Sequence, residues 1–341
     1  MRIMIIAKTL TLHRQGGFET HVTEIAKRLA LKNKVDIVCR ELPRNPSENY
    51  RFNIYDVPYP GINLDAVDNL TSIPAFEKKI SWLFSKNDYD IVHGHGITSL
   101  AYLRRKERKV PFVYTLHGIS SKHLVGYSQP LRAVLKILFD TERACVKGAD
   151  RIICVSKRTI DDAHKYYGID KSKCGYIPNG IDAKALLPKR SRKPGRRIGF
   201  VGYMHEHKGV QFLLRAMKII KERVPGSSLY MIGSGNTTKF MEMARKLKIE
   251  KNVHFLGNVS RTELVRMYKT FDVFALPSQY EGFGIAALEA MASGVPIVVS
   301  DTGELKELAD GTGFVVDPAN INQLAEKIAE IKGLPFGQVW K

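Results

Sequence analysis

Arg197-Ile-Gly-Phe-Val-Gly202 is a short apolar run closed by a glycine, the pattern of a buried strand running into a tight turn. It is the second such opening in the chain. The first is Arg2-Ile-Met-Ile-Ile-Ala7, followed by a polar loop ending in Gly16-Gly17 and a helical stripe of Val22, Ile25, Ala26 and Leu29. Outward from these openings, β-like runs recur at 35–38, 91–92, 111–116 and 151–155, and again at 229–232, 253–256, 273–276 and 296–300. Strands separated by helical stretches predict a doubly wound parallel sheet covered on both faces, and two openings predict two of them. The alternation stops at Tyr176-Ile-Pro-Asn-Gly-Ile-Asp182 and a basic, proline-containing stretch in which only Ala185, Leu186 and Leu187 are apolar. The expected organisation is an N-terminal domain over 1–181, a basic linker over 182–197 and a C-terminal domain over 198–341.

Composition bounds the class. A chain of 341 residues has room for two such domains. With 44% hydrophobic and 26% charged residues it reads as globular rather than disordered. The early apolar run Ile3-Met-Ile-Ile-Ala7 is far shorter than the ~18 residues of a membrane span and precedes no signal-peptide cleavage pattern, so a cytoplasmic chain is expected. Cys39, Cys145, Cys154 and Cys174 lack the paired spacing of a zinc site and the density of a disulfide scaffold, so free thiols are expected. The formal net charge of +19 is uneven, with +11 in 1–181, +6 in 182–197 and +2 beyond. An anionic partner for the N-terminal part, a membrane surface or a phosphorylated substrate, would account for that gradient, as would solubility alone.

The chemistry concentrates in Glu281-Gly-Phe-Gly-Ile-Ala-Ala-Leu-Glu289, which follows the run 273–276 and leads into an apolar helical pattern of Ile285, Leu288, Met291 and Ala292. Gly282 and Gly284 disfavour helix, which puts Glu281 in the loop and Glu289 in the helix. The amides of Phe283, Gly284 and Ile285 would then stand free at a helix N-terminus, where a diphosphate fits. Two carboxylates beside a phosphate site make sense as acceptors from sugar hydroxyls, one holding a pyranose and one a ribose. Spacing alone equally allows Glu281 as a helix cap and Glu289 as a solvated helix residue.

Phe271-Asp-Val-Phe-Ala-Leu-Pro-Ser278, the Glu281–Glu289 segment and Ala292-Ser-Gly-Val-Pro296 together resemble the Glu-x7-Glu signature of the retaining family-four glycosyltransferases with the GT-B fold. The resemblance continues through Ile177-Pro-Asn-Gly-Ile-Asp182, Phe200-Val-Gly-Tyr-Met-His-Glu-His-Lys-Gly209, Val253-His-Phe-Leu-Gly257 and Gly311-Thr-Gly-Phe314. In the N-terminal half it includes Gly16-Gly-Phe-Glu19 and Asp90-Ile-Val-His-Gly-His95, so that it spans nearly the whole chain. It implies two Rossmann-like doubly wound domains facing a central cleft. The implied reaction moves a hexose, with retention, from a UDP- or GDP-linked sugar to a hydroxyl of a sugar, lipid-linked or phosphorylated acceptor, with no metal and no cofactor. It casts Glu281 on the donor sugar, Glu289 on the ribose, Gly16 and Gly17 near the donor phosphates, and Lys208 on the departing diphosphate. Tyr203, Val259, Phe283, Gly284 and Ile285 complete the implied donor surface, and a C-terminal tail is expected to pack back on the first domain. One departure stands out: family members carry Arg five residues before the lysine, where this chain has Tyr203, a donor of one hydrogen bond without charge. His205 or His207 would have to compensate, or the phosphates would be held differently.

His117 lies just past the run 111–116, on the ligand side of a parallel sheet, and resembles the family histidine beside the donor sugar. A structural histidine would look the same. His93 and His95 beside it suggest zinc, but no Cys or Glu is spaced to complete a site and no metal is expected. Asp88-Tyr-Asp90 mimics a metal-binding Asp-x-Asp yet precedes its strand, away from the ligand edge, and Gly233-Ser-Gly235 is an incomplete dinucleotide fingerprint. Leu131, Val134, Leu135 and Leu138 form a helical stripe beside Arg132 and Lys136, near the basic run 104–109. Such a helix either lies on anionic lipid or packs on its own sheet. Two other functions share these features: a nucleotide-sugar epimerase or sugar phosphorylase on the same architecture, and a basic nucleic-acid-binding protein, against which no helix-turn-helix or aromatic RNA motif is present.

Overall fold

The structure, a computed structural model, describes residues 1–11, 16–40, 50–59, 68, 70–119, 129–187 and 195–333, with 129–132 and 332–333 described by backbone alone. The chain divides into two compact units, Met1–Pro178 and Asn179–Lys341. The first holds strands β1 (Arg2–Ala7), β2 (Lys34–Arg40), β3 (Asn53–Val57), β4 (Ile91–His95), β5 (Phe112–Leu116), β6 (Arg151–Cys154) and β7 (Cys174–Tyr176) in one sheet of order β3-β2-β1-β4-β5-β6-β7. The second holds β8 (Arg197–Val201), β9 (Ser228–Ile232), β10 (Val253–Gly257), β11 (Val273–Leu276), β12 (Ile297–Ser300) and β13 (Gly313–Val316), ordered β10-β9-β8-β11-β12-β13. All pairings are parallel. In each sheet the opening strand lies inside, and the chain winds first to one side of it and then to the other. The crevices where that order reverses, between β1 and β4 and between β8 and β11, are the ligand positions of such sheets.

The apolar runs form strands because both faces of each sheet are covered. Along β1, Met4 and Ile6 join the layer built on Phe76, Ile80 and Leu83 of helix Ile73–Lys86, while Ile3, Ile5 and Ala7 join the layer built on Val22 and Ala26 of helix Gly17–Leu29. Period-two alternation thus feeds two apolar layers rather than one. Carboxylates pin the other edge of the sheets. Asp36, fully buried, accepts from Arg2, Asn53 and the Tyr89 hydroxyl, each at 2.8 Å. Asp90 accepts from the Arg2 amide at 2.6 Å, so the Asp88-Tyr-Asp90 segment serves strand ends.

The expected strands are present, and β3, β7 and β13 are additional. All three are sheet edges: β3 carries Asn53 and Asp56, β7 is three residues with a central Gly175, and both are partly exposed. Edge strands need no continuous apolar run, which is why the sequence pattern is silent there. Of the stretch 182–197, Leu186 in helix Ala183–Leu186 is buried in the second unit's core, and the Gly195 amide donates to Asp272; 188–194 lie outside the described residues. Helix Ile321–Gly333 packs within the second unit through Leu324, Ala325 and Ile328, and the tail beyond 333 also lies outside the described residues. In helix Gln129–Gly148, Leu138 is buried and Val134 and Leu135 are partly buried, so this part of the stripe packs inward; the side chains of Leu131 and Arg132 lie outside the described residues. Among the described residues no helix is long and apolar enough to cross a membrane, and the four cysteines are free.

Candidate active site

In the second unit, the loop after β8 carries Tyr203, His205, His207 and Lys208, and the loop after β11 carries Glu281. Their backbones are joined: the Gln279 amide donates to the His207 carbonyl at 2.8 Å. Gly209 makes this approach feasible, since it has φ of +74° and a Cβ there would lie 1.9 Å from the Pro277 carbonyl oxygen. The two loops therefore press Lys208 against Glu281, Nζ to Oε2 at 2.8 Å, with side chains 19% and 15% exposed. The pair is shielded enough to be strong and open enough to exchange partners.

Helix Ile285–Ala292 begins after Gly284, which has φ of +97° and lends no side-chain cap, so Glu281 is a loop residue and not the helix cap. A Cβ on Gly284 would strike Leu305 at 2.2 Å. The first-turn amides have no acceptor within the helix and the dipole favours an anion before them. Glu289 is 3% exposed and its carboxylate takes Arg261 Nη1 at 2.5 Å, so it is not a solvated helix residue either. Burial and the Glu289 charge together hold the buried Tyr268 phenol well above its ordinary range. Arg261, opening helix Arg261–Tyr268 shortly after the partly buried Val259, was not anticipated from sequence. Tyr203 is half exposed and stacks on His205, with ring planes 16° apart. His205 and His207 meet through their Nδ1 atoms at 2.8 Å, so two imidazoles in contact adjoin Lys208 in the chain.

In the first unit, the analogous edge gathers histidines. His95 ends β4 and His117 follows β5; His95 Nδ1 lies 3.1 Å from His117 Nε2. Helix Gly17–Leu29 covers them with Phe18 and His21, three residues apart on one face. The His21 ring centroid is 4.6 Å from that of His117 and 5.5 Å from that of His95, and Phe18 meets both edge-on. His93 faces inward to Thr115 Oγ1 at 2.7 Å. His21 was not anticipated either, because nothing local distinguishes it from any helix histidine. Gly16 precedes the helix, and a Cβ there would fall 2.4 Å from Glu19 Oε2, a buried carboxylate that accepts from Thr9 at 2.7 Å. Room for Glu19 is thus a structural reason for Gly16, independent of any phosphate.

Residues 15–185 match a family model described as Glycosyltransferase Family 4, and residues 186–335 one described as Glycosyl transferases group 1. An uncharacterized glycosyltransferase of Methanocaldococcus jannaschii is 31% identical over 91% of this chain and 83% of its own length. A D-inositol 3-phosphate glycosyltransferase of Corynebacterium glutamicum (strain R) is 27% identical over 93% of this chain and 83% of its own. Among solved structures, a sucrose-phosphate synthase from Thermosynechococcus elongatus superposes with a TM-score of 0.85 at 23% identity, covering 100% of this chain and 92% of that one. Two parallel, doubly wound units of this kind define the GT-B class. The chain belongs to the family-four, group 1 glycosyltransferases.

The buried histidines give the first unit a pH signature. Burial first, and the neighbouring rings after it, lowers His93 to about 4 and holds His95 and His117 well below the ordinary imidazole value. A histidine kept neutral in the fold protonates more readily when unfolded, so its contribution is complete above pH ~6.5 and is lost as pH falls toward the folded value. From pH 6.5 to 5 the expected loss is about 2 kcal/mol for His93 alone. Urea unfolding should show the first unit weakening across this window, with a shallower decline in His93→Gln; a stability independent of pH there would contradict it.

Proposed function

We propose that this glycosyltransferase moves a hexose, with retention, from a UDP- or GDP-linked sugar to an acceptor hydroxyl, without a metal ion or cofactor. The observation that carries the reading is the Lys208–Glu281 pair at 2.8 Å, beside the crevice where the order of the second sheet reverses. Donor binding exchanges partners: Lys208 turns from Glu281 to the diphosphate, and the freed Glu281 carboxylate accepts from hydroxyls of the sugar. The Phe283, Gly284 and Ile285 amides meet the same phosphates at the helix N-terminus. Glu289 is the ribose acceptor, held by Arg261 until then, with Val259 at the nucleotide. The family resemblance assigns His117 to the donor sugar and Gly16 and Gly17 to its phosphates. Charge growing on the leaving diphosphate is thereby met by preplaced donors, which is the main catalytic task in such a transfer.

The donor is held mainly by the second unit and the acceptor mainly by the first. The first unit's positive charge suits an acceptor that bears phosphate or sits in an anionic membrane, as a cytoplasmic enzyme at the inner surface would meet. A phosphorylated polyol is in the name of one relative, the inositol 3-phosphate enzyme.

Replacing Lys208 by Ala should lower kcat/KM by roughly 10², the scale of losing one preorganised charge-stabilising donor; an unchanged value would remove Lys208 from the mechanism. His205 and His207 stand in for the guanidinium missing at Tyr203. Converting both to Ala should therefore raise the donor KM, and a KM equal to that of the parent enzyme would assign the phosphates to other groups.

A further inference from the structure

We propose that His21, His95 and His117 form a zinc site in the first unit. One ring nitrogen from each lies within 4.8 Å of the others. Zinc is bound by imidazole nitrogen at about 2.0–2.1 Å, so two ligands in a tetrahedral shell stand roughly 3.4 Å apart. The His95–His117 contact, at 3.1 Å, is already close to that spacing. His21 reaches the third corner from a different element, helix Gly17–Leu29, so the three ligands are fixed by two strand ends and a helix rather than by one flexible loop. Three imidazoles suit zinc, copper or nickel in preference to calcium or magnesium, and three protein ligands leave a fourth position open.

The ligand atoms are then His95 Nδ1 and His117 Nε2, whose mutual contact the metal would replace. His93 stays outside the set, committed to Thr115. Because the trio consists of residues 74 and 22 positions apart in sequence, no ligand-spacing motif announces it.

Occupancy would take His117 away from a sugar hydroxyl, which makes zinc an inhibitor of transfer rather than a participant. That consequence rests on the donor reading given above for His117; the site itself does not. The test is a calorimetric titration of the chelator-stripped full chain with Zn2+ alone, no nucleotide present, followed by metal quantification after dialysis. One zinc per chain is expected, and His21→Gln, at a partly exposed helix position, should weaken it tenfold or more, a scale on which even outer-shell partners of metal sites act. Cobalt substitution provides a second readout, with visible bands of a tetrahedral nitrogen site in the parent that are absent from His21→Gln. Absence of zinc binding, or equal affinity in the parent and His21→Gln with circular dichroism showing both folded, overturns the site. Zinc that binds as expected yet leaves transfer unaffected overturns the inhibitory role and, with it, the sugar contact of His117, whereas loss of the Lys208 effect would overturn the donor reading without touching the metal titration.

Discussion

The close approach of Gly209 to the Pro277 carbonyl is the constraint on which the second unit's site depends. Parallel strands deliver all their C-terminal loops to one edge, but that alone brings no two side chains together. Here a missing Cβ lets the loops after β8 and β11 pack backbone to backbone, where any other residue would drive an atom to 1.9 Å from a carbonyl oxygen. The His207 carbonyl then accepts from Gln279, and Lys208 and Glu281 have little choice but to meet. Site geometry follows from backbone packing, with the ion pair as its result.

Both glutamates of the signature are charge-balanced in this state, Glu281 by Lys208 and Glu289 by Arg261. A carboxylate left alone at such burial would be costly. On the proposed donor reading, a ligand with phosphate at one end and hydroxyls at the other satisfies both members of the Lys208–Glu281 pair when it separates them: phosphate replaces the carboxylate for Lys208, and hydroxyls replace the cation for Glu281. On the same reading, a phosphate without hydroxyls would leave Glu281 uncompensated, whereas Glu289 would keep Arg261.

The sequence carried most of the fold, because the central strands β1, β8 and β11 are covered on both faces and read as apolar runs, and Ile91-Val92 announces β4. The edges β3, β7 and β13 were silent for the converse reason. Within the candidate site, the loop position of Glu281 and the helix position of Glu289 were legible from Gly282 and Gly284, which break the helical pattern between them. Spacing could not settle whether Glu281 capped the helix or Glu289 was solvated; the capless Gly284 and the buried Glu289 carboxylate decide both. Arg261 and His21 were not legible. Each acts on a partner far along the chain, Arg261 on Glu289 and His21 on His95 and His117, and only the winding of the sheet brings them within reach.

The most direct measurement of the central claim is the thermal unfolding of the full chain against a panel of UDP- and GDP-linked sugars, in parallel with Lys208→Ala. At roughly 100 times its Kd, the true donor adds about 2.7 kcal/mol to stability, and the substitution should abolish most of that gain. A panel in which no nucleotide sugar stabilises the chain, or in which Lys208→Ala is stabilised as much as the parent, would contradict it.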